Sequence, residues 1–209
     1  MGSKRTASSN RWLAEHEADH YVQLARQQGW RSRAIYKLEE LDQHDRLMKP
    51  GMAVVDLGAA PGGWTQYCAK RLAGQSRIIA LDILPMEPIR GVDIIQGDFR
   101  EDAVLRQLEE TLEGQPVDLV LSDIAPNISG VDTADQAASI GLSELALMFC
   151  KDNLRPGGDF VVKVFQGEGF DDFLAAVRRS FHKVSVRKPK ASRSRSREVY
   201  LVARNHRPE

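Results

Sequence analysis

Five short apolar runs, each separated from the next by a helical or turn stretch, constrain this chain more than any other feature. They are Met52–Leu57, Arg77–Ile83, Val92–Ile95, Val117–Ser122 and Phe160–Phe165. They are rich in Val, Ile and Leu, with little alternation of polar and apolar positions. A strand that is apolar on both faces must be covered on both, so the runs predict a parallel sheet with helices on either side. Helices are expected at 12–28, from a Ser32 cap to Pro50-Gly51, and near 63–73, 101–112, 135–154 and 170–181, the fifth-strand run being preceded by a Pro156-Gly157-Gly158 stop. The last two β-rich stretches, Lys183–Arg187 and Glu198–Ala203, have about ten residues and no helical pattern between them, so they should form an antiparallel hairpin at the sheet edge.

The length of 209 residues favours one domain. Its 42% hydrophobic and 28% charged residues exclude a disordered chain or a coiled-coil rod. No apolar run is long enough for a transmembrane helix, so no membrane partner is expected. Cys68 and Cys150 are the only cysteines and form no CxxC. That excludes a disulfide framework or a zinc ribbon and fits a reducing, cytoplasmic setting. Met1–Asn10 is polar and has no signal-peptide core. Met1–Thr6 also fits the loose myristoylation pattern, but a basic arm is the simpler reading. His16-Glu17-Ala18-Asp19-His20 matches HExxH, but no third ligand follows at a metalloprotease spacing, so no metal is expected.

Charge is balanced overall, 29 basic against 29 acidic residues, yet unevenly placed. Residues 1–37 carry a net +4, residues 51–180 a net −9 and residues 181–209 a net +7. Basic ends around an acidic middle suit either solvated tails or a polyanion surface built from both ends of one domain. Arg31, Arg33, Lys188, Lys190, Arg193 and Arg195 are the candidate RNA-binding residues.

The first strand runs into Asp56-Leu57-Gly58-Ala59-Ala60-Pro61-Gly62-Gly63-Trp64. Glycines here let the backbone turn sharply and approach a ligand. The second strand ends at Asp82, followed by Ile83, where open α/β sheets bond a ribose diol. The third is followed by Asp98-Phe99, a carboxylate for an adenine amino group and a ring to cover the base. The spacing is not the dinucleotide GxGxxG. A carboxylate two residues before the first glycine suits a cation better than a pyrophosphate, which favours the sulfonium S-adenosylmethionine over NAD.

Two lysines are oddly placed. Lys163 interrupts Phe160-Val161-Val162-Lys163-Val164-Phe165, and Lys37 adjoins the apolar face carrying Ile35 and Leu38. An unpaired buried ammonium is costly, so Lys163 needs a partner. Asp123 ends the fourth strand and Glu198 starts the last.

The segments RSRAIYKL, VVDLGAAPGGW, LSDIAPN, GGDFVVKVFQGEGF and SRSREVYLVA resemble the FtsJ/RrmJ family of ribosomal RNA ribose 2′-O-methyltransferases over Arg31 to Tyr200. The resemblance implies a Rossmann-like α/β methyltransferase fold, strand order 3-2-1-4-5-7-6, using S-adenosylmethionine. It implies a catalytic tetrad at Lys37, Asp123, Lys163 and Glu198, with Lys163 as base, Asp123 also facing the methyl donor, and Glu198 orienting Lys37. It implies cofactor contacts from Asp56, Gly58, Ala59, Pro61, Gly62, Gly63, Trp64, Asp82, Ile83, Asp98 and Phe99. The bacterial members act on a uridine of large-subunit ribosomal RNA in the assembled subunit, so that subunit is the expected partner of a monomeric enzyme. Domain limits follow as a basic arm and helix over 1–30, a methyltransferase domain over 31–205 and a tail over 206–209. Asp123-Ile124-Ala125-Pro126-Asn127 lacks the aromatic residue that amino-methyltransferases place there, which favours a ribose oxygen. A transfer-RNA or cap 2′-O-methyltransferase, and a non-catalytic ribosome-assembly factor, remain as alternatives.

Overall fold

The computed structural model describes residues 19–126 and 132–208. His16, Glu17, the Met1–Thr6 pattern and Asn127 lie outside the described residues. In chain order the elements are α1 (His20–Gln27), α2 (Ile35–Asp45), β1 (Ala53–Leu57), α3 (Gly63–Leu72), β2 (Arg77–Asp82), β3 (Val92–Gln96), α4 (Asp102–Leu112), β4 (Val117–Ser122), α5 (Asp132–Asn153), β5 (Leu154–Phe165), α6 (Phe170–Ser180), β6 (Phe181–Arg187) and β7 (Glu198–His206).

The sheet has seven strands in the order β3-β2-β1-β4-β5-β7-β6, as expected. β1 to β5 pair in parallel, and β7 runs antiparallel between β5 and β6. Side-chain alternation divides the core in two. Val55, Leu57, Val120, Phe160, Val162 and Leu201 meet α4, α5 and α6 on one face. Val54, Leu121, Val161, Tyr200 and Val202 meet α1, α2 and α3 on the other. Helix spacing follows from the same demand: α4 buries Val104, Leu108 and Leu112 at i, i+4 and i+8. Each such apolar side chain contributes about 1.5–3 kcal/mol when fully buried.

Three local expectations are corrected. Ser32 does not cap α2; Ala34 is the N-cap residue and makes no side-chain bond. Ser32 Oγ instead lies where a Cβ on Gly63 would meet it at 2.2 Å, so the α1–α2 connection packs directly on the start of α3. Pro156-Gly157-Gly158 does not precede the fifth strand but lies inside it. β5 pairs Val117 with Leu154 and then Leu119 with Asp159, so the extra residues form a bulge against β4. His206, placed in the tail by the sequence, is the last residue of β7, is buried, and turns Nδ1 toward the Leu154 carbonyl at 3.1 Å.

Candidate active site

Strand order reverses between β1 and β4, and the crevice beyond their C-terminal ends is where open α/β sheets hold ligands. Strand parity decides which side chains reach it. Lys163 and Phe165 share the parity of Val161, and Glu198 shares that of Tyr200, so all point to the α2 side of the sheet. β5–β7 pairing sets Lys163 opposite Tyr200 and Phe165 opposite Glu198. α2 supplies Lys37 from that side, and Asp123 follows the last residue of β4.

These groups form one network. Lys37 Nζ lies 2.6 Å from Glu198 Oε1. Lys163 Nζ lies 3.1 Å from Asp123 Oδ1 and donates to the Asp123 carbonyl at 2.8 Å. Tyr200 donates its hydroxyl to Asp123 Oδ1 at 2.9 Å, joining the two pairs through β7. Lys37 Nζ also lies 5.7 Å from the Tyr200 ring centre. Burial pushes the Glu198 carboxyl up, but the Lys37 ammonium and its contact with the carboxylate outweigh it and hold Glu198 below the usual glutamate value. Burial, then the Asp123 and Glu198 charges, raise the Tyr200 phenol, so it remains a donor. Nothing in the sequence paired Tyr200 with Asp123; its one signal is a tyrosine among the aliphatic Val199, Leu201, Val202 and Ala203.

The glycine-rich loop is built for close approach. Gly58 has φ +75°, and a Cβ there would stand 2.6 Å from Ile124 Cγ1 and 2.9 Å from Ile124 Cα. Its N–H donates to the Leu81 carbonyl at 2.8 Å, tying the loop to β2. Asp82 clamps both neighbouring loops, accepting from Ala60 N at 2.9 Å and Leu84 N at 2.8 Å. Beneath the loop, Asp56 is fully buried and its Oδ2 accepts from Thr65 Oγ1 at 2.6 Å. Its Oδ1 has no hydrogen-bond partner among the described residues. Burial drives this carboxyl up to about 7, Thr65 opposes, and the Asp123 and Asp82 charges add to the rise. Three carboxylates converging on one crevice, one with an unsatisfied buried oxygen, fit a cationic ligand and disfavour a pyrophosphate.

The other cofactor candidates divide. Ile83 is 50% exposed beside Asp82, available to a flat ligand. Asp98 is partly exposed and held below the usual aspartate value chiefly by bonds from Arg100. Phe99 is 7% exposed and packs edge-on against Phe149, 6.0 Å between centres, as part of the core. Trp64 is buried too, its indole donating to the Ala34 carbonyl at 2.8 Å. Ala59, Gly62 and Gly63 are buried in the loop and the first turn of α3, while Pro61 is exposed.

The six basic candidates are unlike one another. Arg31 donates to the carbonyls of Glu87 at 2.6 Å, Pro88 at 2.9 Å and Pro61 at 3.4 Å, bridging the β2–β3 connection to the glycine-rich loop. Arg33 pairs with Asp19 and donates to the Ala191 carbonyl. Lys188 donates at 2.6 Å to the carbonyls of Ser196 and Glu198. Arg193 stands 3.7 Å from Asp19. Lys190 and Arg195 are exposed. Among the described residues there is no cluster of metal-binding side chains and no helix long and apolar enough to cross a membrane.

Residues 30–206 match the FtsJ-like methyltransferase family. The chain belongs to that family. Among solved structures it is similar to a protein from Plasmodium falciparum, described as a ribosomal RNA methyltransferase, at 32% identity and a TM-score of 0.77 over 86% of this chain and 100% of that one. Two more distant structures share the fold at 18% identity. One is an rRNA-methylase from Clostridium thermocellum, with a TM-score of 0.55 over 81% of this chain and 97% of that one. The other is human methyltransferase-like protein 13 in complex with SAH, with a TM-score of 0.56 over 92% and 82%. For an FtsJ-like methyltransferase, methyl transfer is the chemistry to which the crevice and its lysines must answer.

Proposed function

We propose that this chain transfers the methyl group of S-adenosylmethionine to the ribose 2′-hydroxyl of a uridine in large-subunit ribosomal RNA, acting as a monomer on the assembled subunit. The observation that carries this reading is the network of Lys37, Glu198, Tyr200, Asp123 and Lys163 beside the glycine-rich loop. The P. falciparum relative, described as a ribosomal RNA methyltransferase, supports the RNA class.

S-adenosylmethionine supplies an electrophilic methyl on a sulfonium. A neutral ribose hydroxyl is a weak nucleophile, so the protein must orient it and take its proton. Lys163, in its neutral form, accepts that proton at Nζ. Asp123 fixes the Lys163 side chain through its carboxylate and carbonyl, and Tyr200 fixes Asp123. Lys37, oriented by Glu198, holds the substrate oxygen. Asp82 and the loop carrying Gly58, Ala59, Pro61, Gly62 and Gly63 bind the donor. Asp56, with its carboxyl raised to about 7, lies buried beneath that loop.

The test is to incubate the protein with labelled S-adenosylmethionine and large ribosomal subunits lacking ribose methylation, then map the label. One 2′-O-methylated uridine is expected. Methyl on a base, or preferential labelling of transfer RNA or capped RNA, overturns the substrate assignment. Absence of transfer to every RNA returns the chain to a binding role.

A further inference from the structure

The tetrad accounts for a ribose hydroxyl but leaves open what holds the rest of that nucleotide. We propose that Phe165 is the platform on which the base of the target nucleotide stacks. This inference rests on the RNA reading above and names the substrate contact of the same site.

Phe165 is two residues beyond Lys163 on β5 and projects to the same side of the sheet. Lys163 Nζ stands 5.9 Å from its ring centre. The ring is only partly buried and belongs to neither core, nor to the partly buried side chains packed against either. The other rings around the tetrad are committed. Trp64 is 3% exposed, and Tyr200 is 0% exposed with its hydroxyl on Asp123. The stretch after β4, Asp123-Ile124-Ala125-Pro126, offers no ring. Among the described residues, Phe165 is therefore the aromatic side chain beside the tetrad with surface left to give to a ligand.

Its backbone is fixed more firmly than packing of the ring would require. Gln136 Nε2 donates to the Phe165 carbonyl at 2.9 Å and to the Glu168 carbonyl at 3.0 Å, and Gln166 N donates to the Arg197 carbonyl at 3.0 Å. Gln136 is itself 7% exposed. Gly167, at φ +151°, lets the turn press onto Gln136, where a Cβ would come within 3.1 Å of its amide carbon. A ring on a pinned strand end loses little freedom when a base settles on it. Single-stranded RNA is commonly held this way, with an unstacked base laid on an aromatic face. Fixing the base also fixes the ribose attached to it, which is what an in-line transfer beside Lys163 demands.

The competing role is an apolar cover that shields Lys163 from water. Phe165→Leu keeps the cover and removes the π face; Phe165→Tyr keeps both. The first readout is quenching of a short oligouridine carrying one 2-aminopurine, which reports stacking without catalysis. The second is kcat/KM on large ribosomal subunits, with S-adenosylmethionine affinity measured by calorimetry. Wild type and Phe165→Tyr are expected to quench. Phe165→Leu should lose the quench and about 5- to 150-fold in kcat/KM, with donor affinity unchanged. Quenching that survives in Phe165→Leu overturns the platform. So does a Leu variant whose pH–rate profile shifts while its KM for subunits stays at the wild-type value, the mark of a cover. Phe165-dependent quenching in a protein that methylates no RNA supports the platform and sinks the function instead.

Discussion

A lysine between Val162 and Val164 is tolerable because the Asp123 carboxylate and carbonyl both meet its Nζ. The same two contacts aim it, so the positional and the chemical role are separable by substitution. Lys163→Arg keeps a cation for Asp123, but a guanidinium stays protonated and cannot take a proton near neutrality. That variant should bind S-adenosylmethionine and RNA normally and lose at least ~100-fold in single-turnover methylation. Near-normal rates in Lys163→Arg would move the base role elsewhere. Glu198 calls for a gentler change: deleting its carboxylate strands the Lys37 ammonium at 12% side-chain exposure, and breaking a buried pair costs about 3–5 kcal/mol. At this scale the sequence was informative where a residue broke its own pattern. Lys163 in an apolar strand and Lys37 on an apolar helix face announced themselves. Tyr200 and Thr65 did not, because their value lies in partners brought together by strand register and by the β1–α3 turn.

Loops and strands assign Arg31 a role that composition could not. Counted as a basic residue it joins the RNA surface; placed in the fold, its guanidinium spans carbonyls of the glycine-rich loop and of the β2–β3 connection. Its backbone N–H also bonds Gln66 Oε1 at 3.0 Å, and Gln66 Nε2 bonds the Gly29 carbonyl at 3.0 Å, fastening the α1–α2 connection to α3. Hydrogen bonds from charged groups contribute about 1.5–3 kcal/mol in buried settings and less at this exposed one. Arg31→Ala should therefore weaken S-adenosylmethionine binding by about 10-fold, by calorimetry, while the salt dependence of RNA binding stays as in wild type. Unchanged donor affinity with a shallower salt slope would return Arg31 to the RNA surface. Strands and helices were legible because continuous apolar runs and period-3.6 patterns survive in a single sequence, whereas the strand order came with the family resemblance. The β5 bulge was not: Pro156-Gly157-Gly158 reads locally as a stop, and only the pairing of Leu154 with Val117 keeps it in the strand.

At the scale of the whole molecule, a basic connection lies at the surface and a few carboxylates lie in the interior. Cations gather on the β6–β7 connection, where Lys190 anchors its N–H on Glu40 at 2.8 Å and leaves its side chain exposed. Lys190→Ala should lower the salt slope of RNA binding by about 0.7–1 without altering donor affinity, and an unaltered slope would make that connection a solvated surface. Among the described residues the buried carboxylates are Asp42, Asp56, Asp159 and Glu198, and Asp56 is the extreme case, with a carboxyl near 7 against an ordinary 3.8. The native state holds this proton across the interval in which the unfolded chain has released it. Stability therefore falls as pH rises from about 4 to 7, and the penalty is complete above 7 at about 4 kcal/mol. Asp56→Asn cannot ionise and retains an oxygen for Thr65, although its new amide hydrogens face the side where Oδ1 lacks a partner and cost about 1–3 kcal/mol. The absolute change is thus a small difference, but its pH dependence is not. Urea unfolding of both proteins should show the stability of Asp56→Asn relative to wild type rising by about 3 kcal/mol between pH 5 and pH 8. Parallel stability curves would show that Asp56 is ionised throughout and that its charge is already balanced within the protein. A rising difference would show a fold that keeps a destabilising negative charge beneath its glycine-rich loop, where a cationic donor gains from it.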